Sequence, residues 1–456
     1  GSYLETVDEV ANWQTYAGTA SPINFNGLVR QYYLRGEPYH GDIQVNLIHE
    51  ENRNRQSHDI AQSLRDPLTE IGERYGASVK IVEVPPGPPV LSPVVAEIYA
   101  VDEDRRAALA RQVAEGMTRV DGLVDIDTTL ESPTRQWEVV VDRDRAARLG
   151  VSQAQVVAAL QTALGGTNVG FLHDDHAKYP VPIRVILGEG DKAQPSVLLS
   201  LNVRSRGGTL VPLASIADVR EADWMGAIYH KDLLPVTYVT ADMAGEIDSP
   251  LYGMFAMVER LNQQAGAPEQ YFIDQPPLPE KGTLKWDGEW QITYETFRDM
   301  GAAYSVGVFM IFVLLVAQFR SYILPLVIMA PIPLTLIGIM PGHALLGREF
   351  TATSMIGMIA LAGIIVRNSI LLVVFIRQLI EEGVELDEAV VLAGAVRIKP
   401  IALTAISAMV GAYFILNDPI FNGLAISLVF GLAMSTLLTV LVVPLLYYTL
   451  ARCKWV

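Results

Sequence analysis

The chain has 456 residues, of which 50% are hydrophobic and 18% are charged, and its formal net charge is −16. Soluble proteins average about 25% charged residues, so this composition argues against an ordinary soluble protein: either part of the chain lies in lipid, or its core is abnormally large. The acidic balance also argues against nucleic acid as a partner, because like charges repel.

The charge is unevenly distributed along the chain. Residues 1–299 contain 26 basic and 43 acidic side chains, a balance of −17, whereas residues 300–456 carry a balance of +1. This division predicts an acidic soluble region followed by a nearly neutral membrane region. Cys453 is the only cysteine, so no intrachain disulfide can form, and we expect its thiol to be inert.

Strand and helix patterns alternate through the soluble region. Repeated βαβ units of this size predict an α+β region of small split-βαβ, ferredoxin-like subdomains. A proline-rich run at 85–89 predicts a rigid connector. The predicted strands cover residues 42–48, 79–84, 96–99, 123–129, 137–141 and 235–240, and the predicted helices cover 58–75, 104–119, 152–164 and 251–263.

Five apolar stretches follow Asp299, and each has roughly the length that crosses a bilayer, about 20 residues. They predict an all-α bundle of five transmembrane helices embedded in the lipid bilayer. The segment between the third and fourth stretches, 377–399, has apolar and acidic faces and predicts an amphipathic surface helix. The five stretches cover 300–317, 323–346, 351–376, 400–416 and 419–451.

Positive charges beside the stretches predict the orientation of the bundle. If residues 1–297 lie outside the cytoplasm, six Lys and Arg residues fall on inner segments and only Arg348 falls on an outer loop. We therefore expect a cytoplasmic C-terminus. An exported region that has no signal sequence and begins at Gly1 predicts a preceding span outside this sequence.

Arg367 lies inside the third apolar stretch, where a charge near the bilayer centre costs about 2.5–3.5 kcal/mol. It is about 14 Å from the inner end at Ile376, too deep for its guanidinium to reach water easily. No Asp or Glu occurs in the five stretches, so its expected partner is a carboxylate from another segment. The adjacent Asn368 can hydrogen-bond across helices.

Arg397 and Thr404 are seven residues apart, which places them on one helical face if the helix continues through Pro400. A cation and a hydroxyl that face the bundle interior would extend a proton path. Two simpler interpretations stay open: Arg397 as a positive anchor at the inner surface, and Thr404 as a helix-packing residue.

Two histidines and two aspartates form the run His173-Asp174-Asp175-His176. Two histidines without a third ligand are weak evidence for a metal site, so a solvated turn is the favoured interpretation. The sequence contains no P-loop motif, so ATP hydrolysis by that route is excluded. Together with Arg367, this favours coupling to an ion gradient, with no bound cofactor.

Four segments, in this order, resemble the permeases of resistance–nodulation–division (RND) efflux pumps. They are the segment 141–151 with Gly165-Gly166, similar to the outer-membrane docking subdomain; 286–289 with Tyr294-Glu295, similar to the lead-in to the eighth helix; 363–373, similar to the tenth helix; and 397–404, similar to the start of the eleventh.

The resemblance implies the C-terminal half of a homotrimeric, proton-driven pump of the bacterial inner membrane, with a periplasmic adaptor and an outer-membrane channel as partners. In that family two aspartates of the fourth helix pair with a basic residue of the tenth, which Arg367 matches. Asn368 adjoins it, and Arg397 and Thr404 match supporting residues of the eleventh helix. The aspartates belong to an N-terminal half that this sequence lacks.

The resemblance also implies a domain order. Residues 1–138 and 225–297 would form the two C-terminal porter subdomains, 139–224 the docking subdomain, and 298–456 the transmembrane domain. Val374 departs from the family pattern, since many relatives carry an acidic residue there.

Small amphiphilic compounds are the expected substrates, at the level of the family only, and no cluster of Met and His in the sequence marks metal export. A half-protein that binds partners or assists assembly without transport is the alternative. A lipid or protein exporter of the same superfamily is a third hypothesis, against which the docking-like segment argues.

Overall fold

The structure is a computed structural model that describes residues 1–32, 36–37, 39–83, 90–131, 135–224, 226–245, 249–264, 266–276, 281–418 and 420–453. It divides into two compact units, one formed by 1–129 with 230–456 and the other by 130–229. The predicted docking segment, 139–224, falls inside the second unit. The roles of the four predicted domains stay predictions.

The mixed α/β architecture predicted for the soluble region is confirmed. Within the described residues its strands are β1 (Val10–Ala17), β2 (Gly41–Leu47), β3 (Val94–Tyr99), β4 (Leu123–Thr128), β5 (Arg135–Val141), β6 (Thr167–Leu172), β7 (Val181–Val185), β8 (Asn202–Arg204), β9 (Leu210–Pro212), β10 (Ala217–Asp223), β11 (His230–Lys231), β12 (Leu234–Met243), β13 (Glu269–Tyr271) and β14 (Thr283–Gly288). Its helices are α1 (Phe25–Val29), α2 (Ser57–Arg74), α3 (Glu103–Met117), α4 (Arg143–Arg148), α5 (Gln153–Gly165), α6 (Glu189–Lys192), α7 (Pro195–Ser200) and α8 (Pro250–Asn262).

The first lobe pairs β1 with β2 in antiparallel register and packs α2 on a small core that includes Leu4, Ile60 and Leu64. The strand predicted at 79–84 is wrong for 79–83, which form neither strand nor helix. A strand forms only where a neighbour accepts its ladder bonds. Here the Lys80 side chain instead donates to the Ile126 carbonyl at 2.7 Å. Val84 and the predicted connector 85–89 lie outside the described residues.

The largest sheet has the order β11-β12-β3-β14-β13, with β4 also paired to β12. The order β4-β12-β3-β14, combined with α3 and α8 as the two crossovers, is that of a ferredoxin-like βαββαβ fold. Buried Trp286, Met257 and Val113 belong to its core. The 130–229 unit is inserted in sequence between β4 and β12.

That inserted unit consists of short helices and three two-stranded antiparallel sheets, β5-β10, β6-β7 and β8-β9. Ser152 begins α5 with a capping box in which Ser152 and Gln155 bond reciprocally. Val156, Leu213 and Ile216 are buried in its core. The 173–176 run is an exposed turn in which Asp174 accepts the backbone N–H of His176 at 3.0 Å.

Five helical spans in the described residues are long and apolar enough to cross a membrane, as predicted. The second span is broken into three short helices by its prolines, and the others are continuous. They are α9 (Glu289–Phe319), the series α10 (Ile323–Met329), α11 (Pro331–Leu334) and α12 (Leu336–Leu345), then α13 (Ala352–Glu381), α14 (Leu386–Tyr413) and α15 (Asn422–Arg452).

The surface helix predicted at 377–399 is wrong. The segment is divided between the end of α13 and the start of α14, with a turn at 382–385. Gly383, at φ +92°, allows this reversal. Leu379 and Val390 of the predicted apolar face pack against the bundle core, whereas Val391 is exposed. The fourth span is consequently longer than its apolar stretch, and Pro400 lies inside the helix.

Candidate proton-coupling site

Arg367 lies at the centre of α13, fourteen residues before its end at Glu381 and therefore about 21 Å from it. Its side chain is exposed on the outside of the five-span bundle. It lines an apolar groove between α13 and α9 together with Ile311, Gly363, Val366, Ile370 and Leu371. Arg367 forms no ion pair with any residue that the structure describes.

Arg367 belongs to a row of exposed residues along one face of α13. Gly363, Arg367, Leu371 and Val374 follow at spacings of four, four and three residues, so they share one helical face. Val374 is 43% exposed on that face. Val374 therefore faces the same side as Arg367, two turns nearer the end of the helix.

Asn368 occupies the opposite environment, because one residue rotates a helix by about 100°. It is buried in the bundle, beside the fully buried Ser369. The two adjacent side chains therefore point in different directions: the Arg367 guanidinium points out of the described bundle, and the Asn368 amide points into it.

Arg397 on α14 packs its guanidinium over the ring of Phe375, with Cζ 4.6 Å from the ring centroid. Its Nε is buried without a hydrogen-bond partner among the described residues. A cation over an aromatic face is stabilised by the ring quadrupole. Arg397 is therefore level with Phe375, which lies eight residues, or about 12 Å, beyond Arg367 on α13.

Thr404 is exposed, and its hydroxyl donates to the carbonyls of Pro400 at 3.0 Å and Ile401 at 2.9 Å on its own helix. The continuous α14 does place it seven residues, about 10 Å, from Arg397. Because α13 and α14 run antiparallel across a short turn, Thr404 returns to about the level of Arg367. No hydrogen bond or ion pair joins any two of the four predicted residues, all of which are described.

Carboxylates in the described spans lie only near helix ends. The apolar middles of the five spans contain none, as the sequence indicates. The acidic residues on these helices are Glu289, Glu295, Asp299, Glu381, Asp387 and Glu388. None of them is in an ion pair with Arg367.

A polar cluster that the sequence interpretation missed lies where α12 meets α13. His343 is buried, and its Nε2 is 2.8 Å from Ser354 Oγ while its Nδ1 is 3.0 Å from the Ile339 carbonyl. Ser354 Oγ also accepts the Thr351 backbone N–H at 3.1 Å. A histidine inside an otherwise uncharged apolar stretch was the signal that could have found it.

Comparison with known proteins identifies the class. The family model described as the AcrB/AcrD/AcrF family matches residues 4–451. This chain belongs to that family of RND permeases, and it is a multi-pass membrane protein of the transporter class.

Among its relatives are the swarming motility protein SwrC of Bacillus subtilis, 26% identical over 365 residues, and the cobalt-zinc-cadmium resistance protein CzcA of Cupriavidus metallidurans, 26% identical over 368 residues. Each alignment covers 78% of this chain and 33% of the relative. The chain therefore matches about a third of the length of these relatives.

Two crystal forms of a heavy-metal efflux pump share the fold. Their TM-scores are 0.72 and 0.70 at 21% and 22% sequence identity. Each likeness covers 99% of this chain and 45% of the solved chain. The fold described above is thus the fold of slightly less than half of such a pump.

Proposed function

We propose that this chain acts as the C-terminal half of a proton-driven RND-type efflux transporter in the bacterial inner membrane. In this proposal residues 1–297 are periplasmic and the C-terminus is cytoplasmic. The observation that carries it is Arg367, a guanidinium at mid-helix on an uncovered apolar face, with no carboxylate partner among the described residues. An unpaired charge at that depth is retained when another segment supplies its counterpart.

Coupling then follows from the chemistry of the pair. Arginine does not lose its proton in proteins, so the carboxylates of the partner segment hold the transported proton. Protonation removes their charge, the attraction to Arg367 weakens, and α13 shifts against its partner. Asn368 anchors the helix inside the bundle, Thr404 supplies a hydroxyl at the same level, and Arg397 supplies a cation nearer the end of the spans.

Family membership supports the assembly that the sequence predicts. A second half containing the carboxylates, two further copies in a trimer, a periplasmic adaptor and an outer-membrane channel would complete the pump. The segment 139–224 would meet the channel.

The cargo has two candidate classes. Small amphiphilic compounds are the expectation from the sequence. Metal cations are the second candidate, favoured by the likeness to the cobalt-zinc-cadmium resistance protein CzcA and to the solved heavy-metal efflux pump. Among the described residues no group of three or more His, Cys, Asp and Glu side chains is arranged to hold a metal ion. A resistance profile against zinc, cobalt and cadmium salts and against cationic dyes and bile salts, with and without this chain, separates the two.

The test of coupling uses this chain produced together with an RND-type N-terminal half in membrane vesicles. Arg367→Ala should abolish substrate-dependent proton movement while the protein level in the membrane stays unchanged, and Arg367→Lys should retain part of it. Arg377→Ala, on the same helix but near its end, is the matched control and should transport normally.

Transport at the original rate in Arg367→Ala would reject the coupling role. If the unsubstituted chain moves neither protons nor substrate although both halves are assembled, the alternative of a non-transporting binding or assembly module is favoured instead.

A further inference from the structure

The largest soluble sheet buries a charged cluster that transport through the membrane helices does not use. Glu97, at the centre of β3, is 0% exposed. The Lys231 ammonium donates to Glu97 Oε1 and to Asp287 Oδ2, so two carboxylates share one cation. The Tyr99 hydroxyl donates to the other oxygen of Glu97 at 2.8 Å.

Titratable side chains face Glu97 from each neighbouring strand. In register, Glu97 lies opposite Tyr238 on β12 and Lys285 on β14. The Lys285 ammonium is 3.9 Å from Glu97 Oε2, an ion pair without a hydrogen bond. Together with Tyr99, Lys231 and Asp287, these are the titratable groups that the described residues place around the Glu97 carboxylate.

The two carboxylates differ in how they hold protons. Burial, the largest cause, and the neighbouring Asp287 carboxylate together raise the pKa of Glu97 to about 7, against the lowering effect of Lys231. For Asp287, burial acts to raise the pKa, but hydrogen bonds with Glu97 and Lys231 outweigh it and lower the pKa. Hydrogen bonds to both carboxylates likewise raise the pKa of Lys231 despite its burial. Glu97 is therefore the member that gains and loses a proton near neutral pH.

The cluster lies where two chain connections meet the sheet. Asp287 Oδ1 accepts the backbone N–H of Gly288 at 2.8 Å, and α9 begins at the next residue, Glu289. Gly288 has φ +78°, and a Cβ there would lie 2.6 Å from the Pro93 carbonyl, so only glycine fits this link. Lys231 is the second residue after the 130–229 unit.

We propose that Glu97, Lys231 and Asp287 form a proton-binding joint that ties the strand entering the first membrane helix to the strand returning from the inserted unit. With Glu97 protonated, its carboxylic acid donates to Asp287, and the Lys231 ammonium pairs with the one remaining carboxylate, Asp287. The three side chains then hold their strands together. With Glu97 ionised, two carboxylates repel each other around one ammonium, and the joint loosens. The proton exchanges with water along the part-exposed Lys231 and Asp287 side chains, 32% and 21% exposed.

The joint is tested by hydrogen–deuterium exchange on the full chain in detergent micelles between pH 5.5 and 8.5, corrected for intrinsic exchange. Protection of amides in 94–99 and 284–290 should fall roughly tenfold from pH 5.5 to 7 and then level off, because opening exposes Glu97 to water where it ionises more readily. Glu97→Gln should remove this fall. Glu138→Gln, an exposed carboxylate of the inserted unit, is the control and should leave it unchanged.

Two further variants keep the proposal open to rejection even if Glu97→Gln folds poorly. Lys231→Met removes the cation and should move the midpoint of the protection change to higher pH. Asp287→Asn removes the neighbouring negative charge and should move it to lower pH. Midpoints that shift in the same direction, or a pH dependence that persists in a folded Glu97→Gln protein, would overturn the joint. Neither readout depends on transport.

Discussion

Two charged side chains differ in whether they find partners: Glu97 is buried in the largest soluble sheet, and Arg367 is exposed on an apolar face of the membrane helices. Glu97 finds Lys231, Lys285 and Tyr99 within this chain. Arg367 has an apolar groove beside it and no ion pair with any described residue. A charge that is paired within the chain, such as Glu97, contributes to the stability of the chain's own fold. A charge without a partner among the described residues, such as Arg367, points to an interaction with another segment.

The largest expected effect on stability comes from breaking the satisfied charge. At pH 8, Lys231→Ala should lower the free energy of unfolding by about 3 kcal/mol, because it strands two partly or fully buried carboxylates. Arg367→Ala should change it by less than about 0.5 kcal/mol, because the removed group has no partner in the chain. Denaturant unfolding of both purified variants, followed by tryptophan fluorescence, measures the contrast. Equal losses in the two variants would remove the distinction.

The second effect is a dependence on pH. Because the pKa of Glu97 is raised, the folded chain binds more protons than the unfolded chain between about pH 4.5 and 7, so the contribution of Glu97 to stability falls as pH rises through that range. From pH 5 to 7.5 the original protein should lose about 2 kcal/mol relative to Glu97→Gln. Parallel unfolding series of the two proteins measure this loss, and an original protein that gained stability relative to Glu97→Gln as pH rises would contradict the assigned sign.

The sequence was sufficient for elements whose pattern is local. The helices α3 and α8 and the five spans follow from periodicity or from apolar length, and Arg367 stands out because a charge interrupts an apolar stretch. The strand β14 was missed because a lysine, Lys285, occupies one of its buried positions and the part-exposed Asp287 follows two residues later, which hides the apolar alternation. The run 79–83, which forms neither strand nor helix, was predicted as a strand because sequence alone does not show whether a pairing neighbour exists.

The partners of Glu97 could not be predicted from the sequence. Glu97 and Lys231 are 134 residues apart, and the whole 130–229 unit intervenes between them. A glutamate within the apolar run of β3 was visible, but its partners became identifiable only when the sheet order placed β12 and β14 on either side of β3. Conversely, the level shared by Arg367 and Thr404 needed the continuous α14, which the sequence left conditional on Pro400.

A third effect should separate close helix packing from the open face that carries Arg367. A Cβ added at Gly423 on α15 would overlap the Ser354 hydroxyl on α13 and lie 2.7 Å from Thr351 Oγ1. Gly423→Ala should therefore destabilise the bundle by about 1–2 kcal/mol. Gly363→Ala is the matched control, because a Cβ there meets nothing within 4 Å. Thermal unfolding midpoints in detergent should fall for the first variant only.

The smallest expected effect on stability comes from breaking a solvent-exposed ion pair. Arg220 pairs with Glu138 at 2.8 Å across β10 and β5, and the two side chains are 65% and 46% exposed. Exposed pairs contribute about 0–1 kcal/mol, since water and salt screen their attraction. Arg220→Ala should thus shift the unfolding midpoint little, and less still in 0.5 M salt. Arg220→Ala could instead destabilise the protein as much as Lys231→Ala. In that case the exposure of the Arg220–Glu138 pair would not account for a difference from the Lys231–Glu97 pair, and burial would not explain the cost of removing the partners of Glu97.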